Sequence, residues 1–174
     1  MDRTLVDRAR DGDLDAFESL VEQRIRDAFR LSLVIVGDEA GARDVARDAF
    51  VAAWRDLPRL QEADRFDAWV DRLVVNQARA SRSGRRLRVR EIAASEILAA
   101  AVGSTWSAGD DAELLRLGLR DLSIDQRALL AMHHLEGRPI DGIASILGIA
   151  AGTVTSRLVA ARRALTKAIA EGIS

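Results

Sequence analysis

Apolar positions recur at intervals of three and four residues along most of this chain, which is the period of an amphipathic helix. The clearest run follows Asp13, where one apolar stripe is formed by Leu14, Phe17, Leu20, Val21, Ile25, Ala28 and Leu31. Gly37 is placed to end this helix, and Asp38 to cap a third one over residues 39–57. Alternating patterns of the kind that strands require are scarce. The pattern therefore predicts an all-α protein.

Two further helices complete the N-terminal half. Thr4, with Asp7 three residues later, can cap a short first helix that ends near Gly12. A fourth helix is predicted from about Phe66 into a cluster of arginines, with Gly84 at its end. Four helices within about 85 residues predict a compact helical domain.

Two short helices with a tight break between them follow near the C-terminus. Pro139 suits the first turn of a helix, and Gly148 is placed to end it. The inward face of this helix is predicted to comprise Ile140, Ile143, Ala144 and Leu147, and that of the next helix Val154, Leu158, Ala161 and Leu165. Ahead of them, Ser123 and Gln126 form a capping box for a helix over residues 124–136, which Gly137 ends.

The outer face of the last helix carries hydroxyl groups at its start and cations along its length. A helix, a tight turn and a second helix of this kind are typical of a helix-turn-helix, whose second helix enters the major groove. Its predicted DNA-contacting residues are Thr153, Thr155, Ser156, Arg157, Arg162 and Arg163. The alternative is an ordinary helical hairpin with a basic solvent face.

Composition excludes several functional classes. The chain has no cysteine, so disulfides, thiol catalysis and cysteine-bound zinc are excluded, and no cofactor is expected. No apolar run is long enough to span a bilayer and no signal peptide opens the chain, so a cytoplasmic protein without membrane insertion is expected. His133 and His134 are adjacent on a predicted helix and point about 100° apart, which disfavours a shared metal ion. An enzyme is therefore not expected.

Charge is close to balanced overall but uneven along the chain. The net charge is −1, yet residues 1–78 are acidic, whereas residues 79–90 contain arginines and no acid. Such a cluster in an acidic half favours contact with phosphates. The candidates for contact with a nucleic-acid strand include Arg79, Arg82, Arg85 and Arg86. Residues 91–110 are predicted to form a flexible linker. Trp106, a large apolar residue within it, is expected to pack against a neighbouring domain or a partner. The predicted organisation is therefore a helical domain over 1–90, a linker over 91–110 and a helix-turn-helix domain over 111–174.

This order of elements resembles the extracytoplasmic-function (ECF) sigma factors of bacterial RNA polymerase. The chain from Leu122 to Leu165 follows the family's fourth conserved region, with its strongest parts at Leu135-Glu136-Gly137, Leu147-Gly148-Ile149 and Gly152-Thr153-Val154. The N-terminal half is similar to the second conserved region. That match rests on Gly12-Asp13, Ala16-Phe17, Asp44-Val45, Asp48, Phe50, Trp54, Phe66, Ala68-Trp69 and Asn76.

The resemblance implies a transcription initiation factor that binds core RNA polymerase and promoter DNA. It assigns polymerase binding to Asp44, Asp48, Phe50 and Trp54. It assigns minus-ten DNA to the segment with Asn76 and the arginines after it, and minus-thirty-five DNA to the helix-turn-helix. Phe66 and Trp69 are expected to pack in the core rather than stack on bases. Members of the family are commonly restrained by an anti-sigma factor, which makes such a protein a further candidate partner.

Three positions depart from the family's pattern. Arg47 stands where glutamine is usual, Asp71 where an aromatic residue is usual, and Val75 where a basic residue is usual. Asp71 is expected to place negative charge near DNA or a partner and to weaken that contact. These departures motivate an alternative, a helix-turn-helix transcriptional regulator that binds DNA without melting promoters.

Overall fold

The computed structural model describes residues 2–81, 115 and 117–172, and the secondary structure assigned within them is helical. The longer helices are α1 (Arg3–Arg10), α2 (Leu14–Val36), α3 (Glu39–Asp56), α4 (Phe66–Ala80), α5 (Ile124–Leu130), α6 (Ile140–Leu147) and α7 (Ala151–Gly172). Two 3₁₀ turns, Leu57–Arg59 and Ala63–Arg65, join α3 to α4. The predicted all-α class is confirmed.

Short-range capping explains where the N-terminal helices begin and end. The Asp13 side chain accepts a hydrogen bond from the Ala16 amide, and Asp38 accepts one from the Gly41 amide at 2.7 Å. Gly37 adopts the left-handed conformation (φ 90°) that ends α2. The predicted cap at Thr4 is wrong. Asp2 caps α1 by accepting from the Thr4 amide, because its carboxylate precedes the first turn and Thr4 lies inside it.

The C-terminal helices also follow their predicted caps, with two differences. The capping box of Ser123 and Gln126 is confirmed, and Gly148 ends α6 with φ 66°. The predicted continuous helix over 124–136 instead changes at Ala131 into a π-helical turn that runs to Leu135. Pro139 is the extended cap residue before α6 rather than a residue of its first turn.

One continuous hydrophobic cluster holds the two predicted domains together. It contains Phe66 and Leu20 from the N-terminal helices as well as Met132, Ile143 and Leu158 from the C-terminal ones. Helix α2 contacts α5, and α4 contacts both α5 and α6. The N-terminal unit (α1–α4) and the C-terminal unit (α5–α7 with the helical residues before them) are therefore packed against each other.

This packing changes which side chains are buried. On α6, Ile143 and Ile146 are buried, whereas Ile140, Ala144 and Leu147 are only partly buried. Ile146 is buried because α6 is covered by α4 as well as by α7, which a pattern confined to one hairpin does not reveal. Leu14, predicted to face inward, is 54% exposed.

Several predictions lie outside the described residues. They are the end of the fourth helix at Gly84, the linker over 91–110 and the placement of Trp106. In the described part of the chain, no single helix is long and apolar enough to span a membrane; the consecutive pair α6 and α7 meets that test together, with a bend of 102° between the two helices.

Candidate functional site

Helix α7 presents a polar outer face of the kind that the helix-turn-helix pattern predicts. Its inner face is held by buried Val154, Leu158 and Ala161. The exposed residues include Thr155, Ser156, Arg157, Arg162 and Arg163, while Thr153 is partly buried. The hydroxyl of Thr155 donates to Ala151 O and that of Ser156 donates to Thr153 O, so both oxygens remain free to accept a hydrogen bond from a base amino group.

An outer row of residues runs along the side of α7 that faces away from the core. Gly152, Ser156, Val159 and Arg163 are spaced by four, three and four residues and therefore share one face. Val159 is 41% exposed, so its methyl groups are accessible from outside the protein. It was missed at the sequence level, although its spacing from Ser156 and Arg163 was a usable signal. An exposed methyl group in such a row can contact the methyl group of thymine.

Arg162 lies on another side of α7, against the π-helical turn. Its Nε–H donates to His134 Nε2 at 3.3 Å. Partial burial, together with Arg162 and His133, lowers the pKa of His134, which keeps the imidazole neutral and able to accept this bond. Arg162 is therefore separated from the outer row that contains Arg163.

The two adjacent histidines are engaged with other groups. His133 Nδ1 lies 3.3 Å from Arg138 O, and Glu136 Oε2 accepts from Arg138 Nε at 2.9 Å. The described residues contain no group of three or more His, Cys, Asp or Glu side chains arranged to hold a metal ion.

The predicted minus-ten surface is only partly described. Asn76 is exposed on α4, and Arg79 projects from the same helix to bind Asp125 of α5 at 2.8 Å. Arg82, Arg85 and Arg86 lie outside the described residues. The prediction that Phe66 packs in the core is confirmed, because it is fully buried with its ring 6.1 Å from that of Trp69.

A polar cavity of about 540 Å³ adjoins this surface, and sequence reasoning did not find it. It lies between the 3₁₀ turns, α4 and α6, and its lining includes Arg59, Arg65 and Arg72, with Trp69 on one wall. Two acids of the same lining form ion pairs with two of these arginines, Asp56 with Arg59 at 3.4 Å and Glu62 with Arg65 at 2.8 Å. Cations beside an aromatic ring are the groups that bind single-stranded bases and phosphates. The arginines are spread over a loop and a helix in sequence, and only the fold brings them together.

The expectation that Asp71 places negative charge near DNA is wrong. Its side chain is fully buried, with Oδ1 3.0 Å from Arg24 Nη2 and Oδ2 bonded to Arg138. Burial and the nearby Glu136 carboxylate raise the pKa of Asp71 to about 7, although Arg138 and Arg24 oppose them. Val75 is also fully buried, so this departure from the family's pattern is a core residue rather than a lost surface cation.

An apolar groove lies between α2 and α3. Leu14, Val51 and Trp54 are exposed along it, and the Trp54 ring packs on Phe17 with centroids 4.9 Å apart. Phe50 also lines the groove but is 6% exposed. Contiguous exposed apolar groups are typical of protein interaction sites.

Two acids and one arginine are exposed on α3 beside this groove. Asp44 and Asp48 are exposed on α3, as the predicted polymerase contact requires. Arg47 lies between them, with its guanidinium 3.2 Å from Asp44 and 3.3 Å from Asp48. This arginine, at a position where the family's pattern has glutamine, partly neutralises the acidic rim.

Comparison with known proteins agrees with this geometry. Residues 20–87 match the family model for sigma-70 region 2, and residues 112–165 match that for sigma-70 region 4. The chain is 30% identical to the RNA polymerase sigma-H factor of Pseudomonas aeruginosa over 97% of its own length and 93% of that protein. It is 29% identical to the ECF RNA polymerase sigma-E factor of Escherichia coli K12, with 94% of this chain and 92% of that protein covered.

Among solved structures, the chain is similar to CnrH in its complex with the cytosolic domain of CnrY. The TM-score is 0.68 at 27% sequence identity, and 95% of each chain is covered. The region 2 match spans most of α2 and all of α3 and α4, and the region 4 match spans α5, α6 and most of α7, in the order that the family requires. The chain therefore belongs to the ECF sigma factors of the sigma-70 family, which are transcription initiation factors that direct core RNA polymerase to promoter DNA.

Proposed function

We propose that this sigma factor binds core RNA polymerase through the groove between α2 and α3. The observation that carries this proposal is the exposed apolar row of Leu14, Val51 and Trp54 beside the acids Asp44 and Asp48. An apolar strip supplies the buried centre of an interface, and the acids favour a basic partner helix and steer its approach. Phe50 lines the groove but is buried, so we assign it support of the groove rather than free surface for the partner.

Replacing Val51 with aspartate is expected to weaken binding to core polymerase by about 30-fold or more. Val51 is 62% exposed, so the change leaves the fold intact but places a charge in the centre of the apolar strip. Loss of a central contact costs at least about 2 kcal/mol, which corresponds to that factor. The measurement is a fluorescence titration of labelled sigma factor with core polymerase.

Arg43→Ala is the matched control, because Arg43 is exposed on the same helix and its ion pair is with Glu39 on that helix. Both variants are then compared in transcription with core polymerase on a library of genomic promoters. Start sites preceded by a shared two-part motif are expected with the wild type and the control, and few with Val51→Asp. Equal binding by Val51→Asp would exclude the groove as the polymerase contact.

We place minus-thirty-five recognition on the outer row of α7, which contains Ser156 and Arg163, with Thr153, Thr155 and Arg157 beside it. Ser156 and Arg163 supply polar contacts, and Val159 supplies an apolar one. A Cβ atom added at Gly152 would meet no heavy atom of another part of the chain within 4 Å, so the start of the row is open to a close approach by the duplex.

Arg163→Ala is expected to weaken promoter binding by the polymerase complex by about 1–3 kcal/mol. Arg162→Ala is the comparison, and a smaller loss is expected because Arg162 is turned toward His134. The measurement is binding of the complex to a promoter duplex at several salt concentrations. If Arg163 contacts a phosphate, the slope of the logarithm of the binding constant against the logarithm of the salt concentration decreases in magnitude by about one. A contact to a base changes the sequence preference instead. An effect of Arg162→Ala that exceeds that of Arg163→Ala would contradict this placement.

We assign minus-ten contact to Asn76 and Arg79 on α4, together with Arg82, Arg85 and Arg86. The nearby polar cavity adds Arg72 to this surface, while its other two arginines, Arg59 and Arg65, are paired with Asp56 and Glu62. A division into domains over 1–90 and 111–174, with a linker over 91–110, is consistent with the two family matches. The proposed contacts require no cofactor and no catalytic step.

An anti-sigma factor is a further proposed partner. CnrH, a solved structure that this chain resembles, is bound to the cytosolic domain of another protein, CnrY. A partner seated in the apolar groove would compete directly with polymerase. RNA polymerase is a cytoplasmic enzyme in bacteria, so we place the action of this chain in the cytoplasm.

A further inference from the structure

An apolar cavity of about 320 Å³ lies beside α7, and neither the apolar groove nor the outer row contributes to its lining. We call it the α7 cavity. Its polar lining residues, His134, Arg162 and Thr166, are exposed at its mouth. Its floor is formed by the buried side chains of Val34, Leu115, Leu119, Leu130 and Ala131. An apolar floor, a few polar groups and a volume of this size are typical of small-molecule sites.

Several segments of the chain enclose the α7 cavity. The π-helical turn after α5 contributes three of the lining residues, and such turns occur frequently at functional sites. Close packing bounds the cavity at one end, where a Cβ atom added at Gly118 would lie 2.7 Å from Ile169 and 2.9 Å from Leu165 of α7. The backbone at Gly118 therefore touches α7, while space remains beside Leu119. The α7 cavity is thus a bounded site rather than a general gap between helices.

Arg162 supplies the positive charge at the mouth of the α7 cavity. Its guanidinium has five N–H donors. Among the described residues, the acceptor that it meets is His134 Nε2, and no carboxylate forms an ion pair with it. Partial burial lowers the pKa of His134, so the neutral imidazole adds no charge of its own. Both Nη groups of Arg162 are therefore available to a carboxylate, which an arginine can bind with two parallel hydrogen bonds.

The charge and the lining together define a class of ligand. The cation at the mouth attracts an anion, and the apolar floor favours a tail that leaves water. A strongly polar ligand such as a nucleotide would bury polar groups against the leucines of the floor without hydrogen-bond partners, which is unfavourable. A carboxylate with one apolar tail satisfies both ends of the cavity.

We propose that the α7 cavity binds a small amphipathic anion, a carboxylate whose single apolar tail lies among Leu115, Leu119 and Leu130 and whose head group binds Arg162. This inference goes beyond the proposed contacts with polymerase and promoter DNA. It does not depend on them, because the groove and the outer row lie elsewhere on the molecule.

The test is isothermal titration calorimetry of the full-length chain with hexanoate, heptanoate and octanoate, each kept below the concentration at which it forms micelles. The dissociation constant is expected to fall by about fourfold for each methylene group that enters the apolar floor. Octanol and octylamine carry the same tail without the carboxylate. They are expected to bind more weakly than octanoate by about tenfold or more, because the charged hydrogen bonds to Arg162 are missing.

A reversal of charge tests the role of Arg162 without changing the core. In Arg162→Glu, octylamine is expected to bind more tightly than octanoate, since the mouth of the cavity then carries a negative charge. Lys167→Glu is the matched control. It makes the same change of charge at an exposed position of α7 that does not line the cavity, and it is expected to retain the preference for octanoate.

Ala131→Leu tests the apolar floor, because the larger side chain takes up space inside the cavity. Octanoate is expected to bind this variant more weakly by about tenfold, while octanoate binding by Lys167→Glu stays close to that of the wild type. Ala131 is buried, so circular dichroism checks that the variant is folded. The tail-length series and Arg162→Glu do not alter the core and decide the question even if Ala131→Leu fails to fold.

Three results would overturn the proposal. The first is no binding of octanoate to the wild type, and the second is an affinity that does not change with tail length. The third is an unchanged preference for octanoate in Arg162→Glu, which would place the head group elsewhere. If octanoate binds only after Trp106→Ala, the chain itself supplies the occupant of the cavity, and the inference of a ligand is overturned as well.

Discussion

Arg127→Ala is expected to lower the free energy of unfolding by about 2–4 kcal/mol. Arg127 is only 2% exposed, and its guanidinium donates to Leu122 O twice and to Ile35 O once. Ile35 lies in the last turn of α2, where carbonyl groups lack partners within the helix, and a cation there also interacts favourably with the helix dipole. Truncation leaves both carbonyl groups buried without this donor and opens a cavity. The measurement is urea unfolding followed by circular dichroism.

Two comparisons separate the hydrogen bonds from the charge. Burial lowers the pKa of Arg127 to about 10, so the side chain remains charged at neutral pH but incurs a desolvation cost. Arg127→Lys keeps the charge but cannot reach both carbonyl groups in the same way, and an intermediate loss is expected. Arg55→Ala, which removes an exposed arginine paired with Asp56, is expected to leave the free energy of unfolding nearly unchanged, because water screens an exposed ion pair. Equal effects of Arg127→Ala and Arg55→Ala would contradict the structural role assigned to Arg127.

Phe66→Ala is expected to lower the free energy of unfolding by about 3–5 kcal/mol. Phe66 is the first residue of α4 and is fully buried in the shared core, with its ring against Trp69. Removing the ring eliminates buried apolar surface and leaves a cavity at the point where the 3₁₀ turn meets α4. The same urea unfolding experiment measures this loss.

Because Phe66 anchors the start of α4, its loss should also affect the segment assigned to promoter contact. Hydrogen exchange of the α4 amides is expected to become faster in Phe66→Ala than in the wild type. Phe66→Leu retains most of the apolar volume and is expected to show a smaller effect in both measurements. A stable Phe66→Ala protein with unchanged exchange in α4 would show that the ring does not hold this helix.

Local signals in the sequence were sufficient for most helix boundaries. Asp13, Asp38 and Ser123 cap helices because each side chain accepts a hydrogen bond from the amide three residues later, so no distant residue decides the outcome. Gly37 and Gly148 end helices because both adopt positive φ, which is favourable for glycine. The wrong cap predicted at Thr4 also has a local cause. The helix is capped two residues earlier, where the Asp2 carboxylate precedes the first turn and accepts from the Thr4 amide.

The candidate surfaces were predicted less completely than the helices. The hydroxyl groups and cations of α7 follow from helical spacing, yet the separation of Arg162 from Arg163 depends on His134, which lies 28 residues earlier. The groove of Leu14, Val51 and Trp54 joins positions on two helices. Leu14 fitted the apolar stripe of α2, and only the absence of a covering helix among the described residues shows that it is exposed.

By itself, the sequence determined the helical class, the order of the helices and the two conserved regions that identify a sigma factor, because these depend on spacing and on contacts within a few residues. The tertiary structure decided the packing of the two units, the burial of Ile146, the cavity beside Trp69 and the partners of Asp71. The sequence around a single acid in a helix does not show whether its side chain is buried or which groups surround it. Its environment depends on which distant cations the fold brings to it, and here these are Arg24 and Arg138.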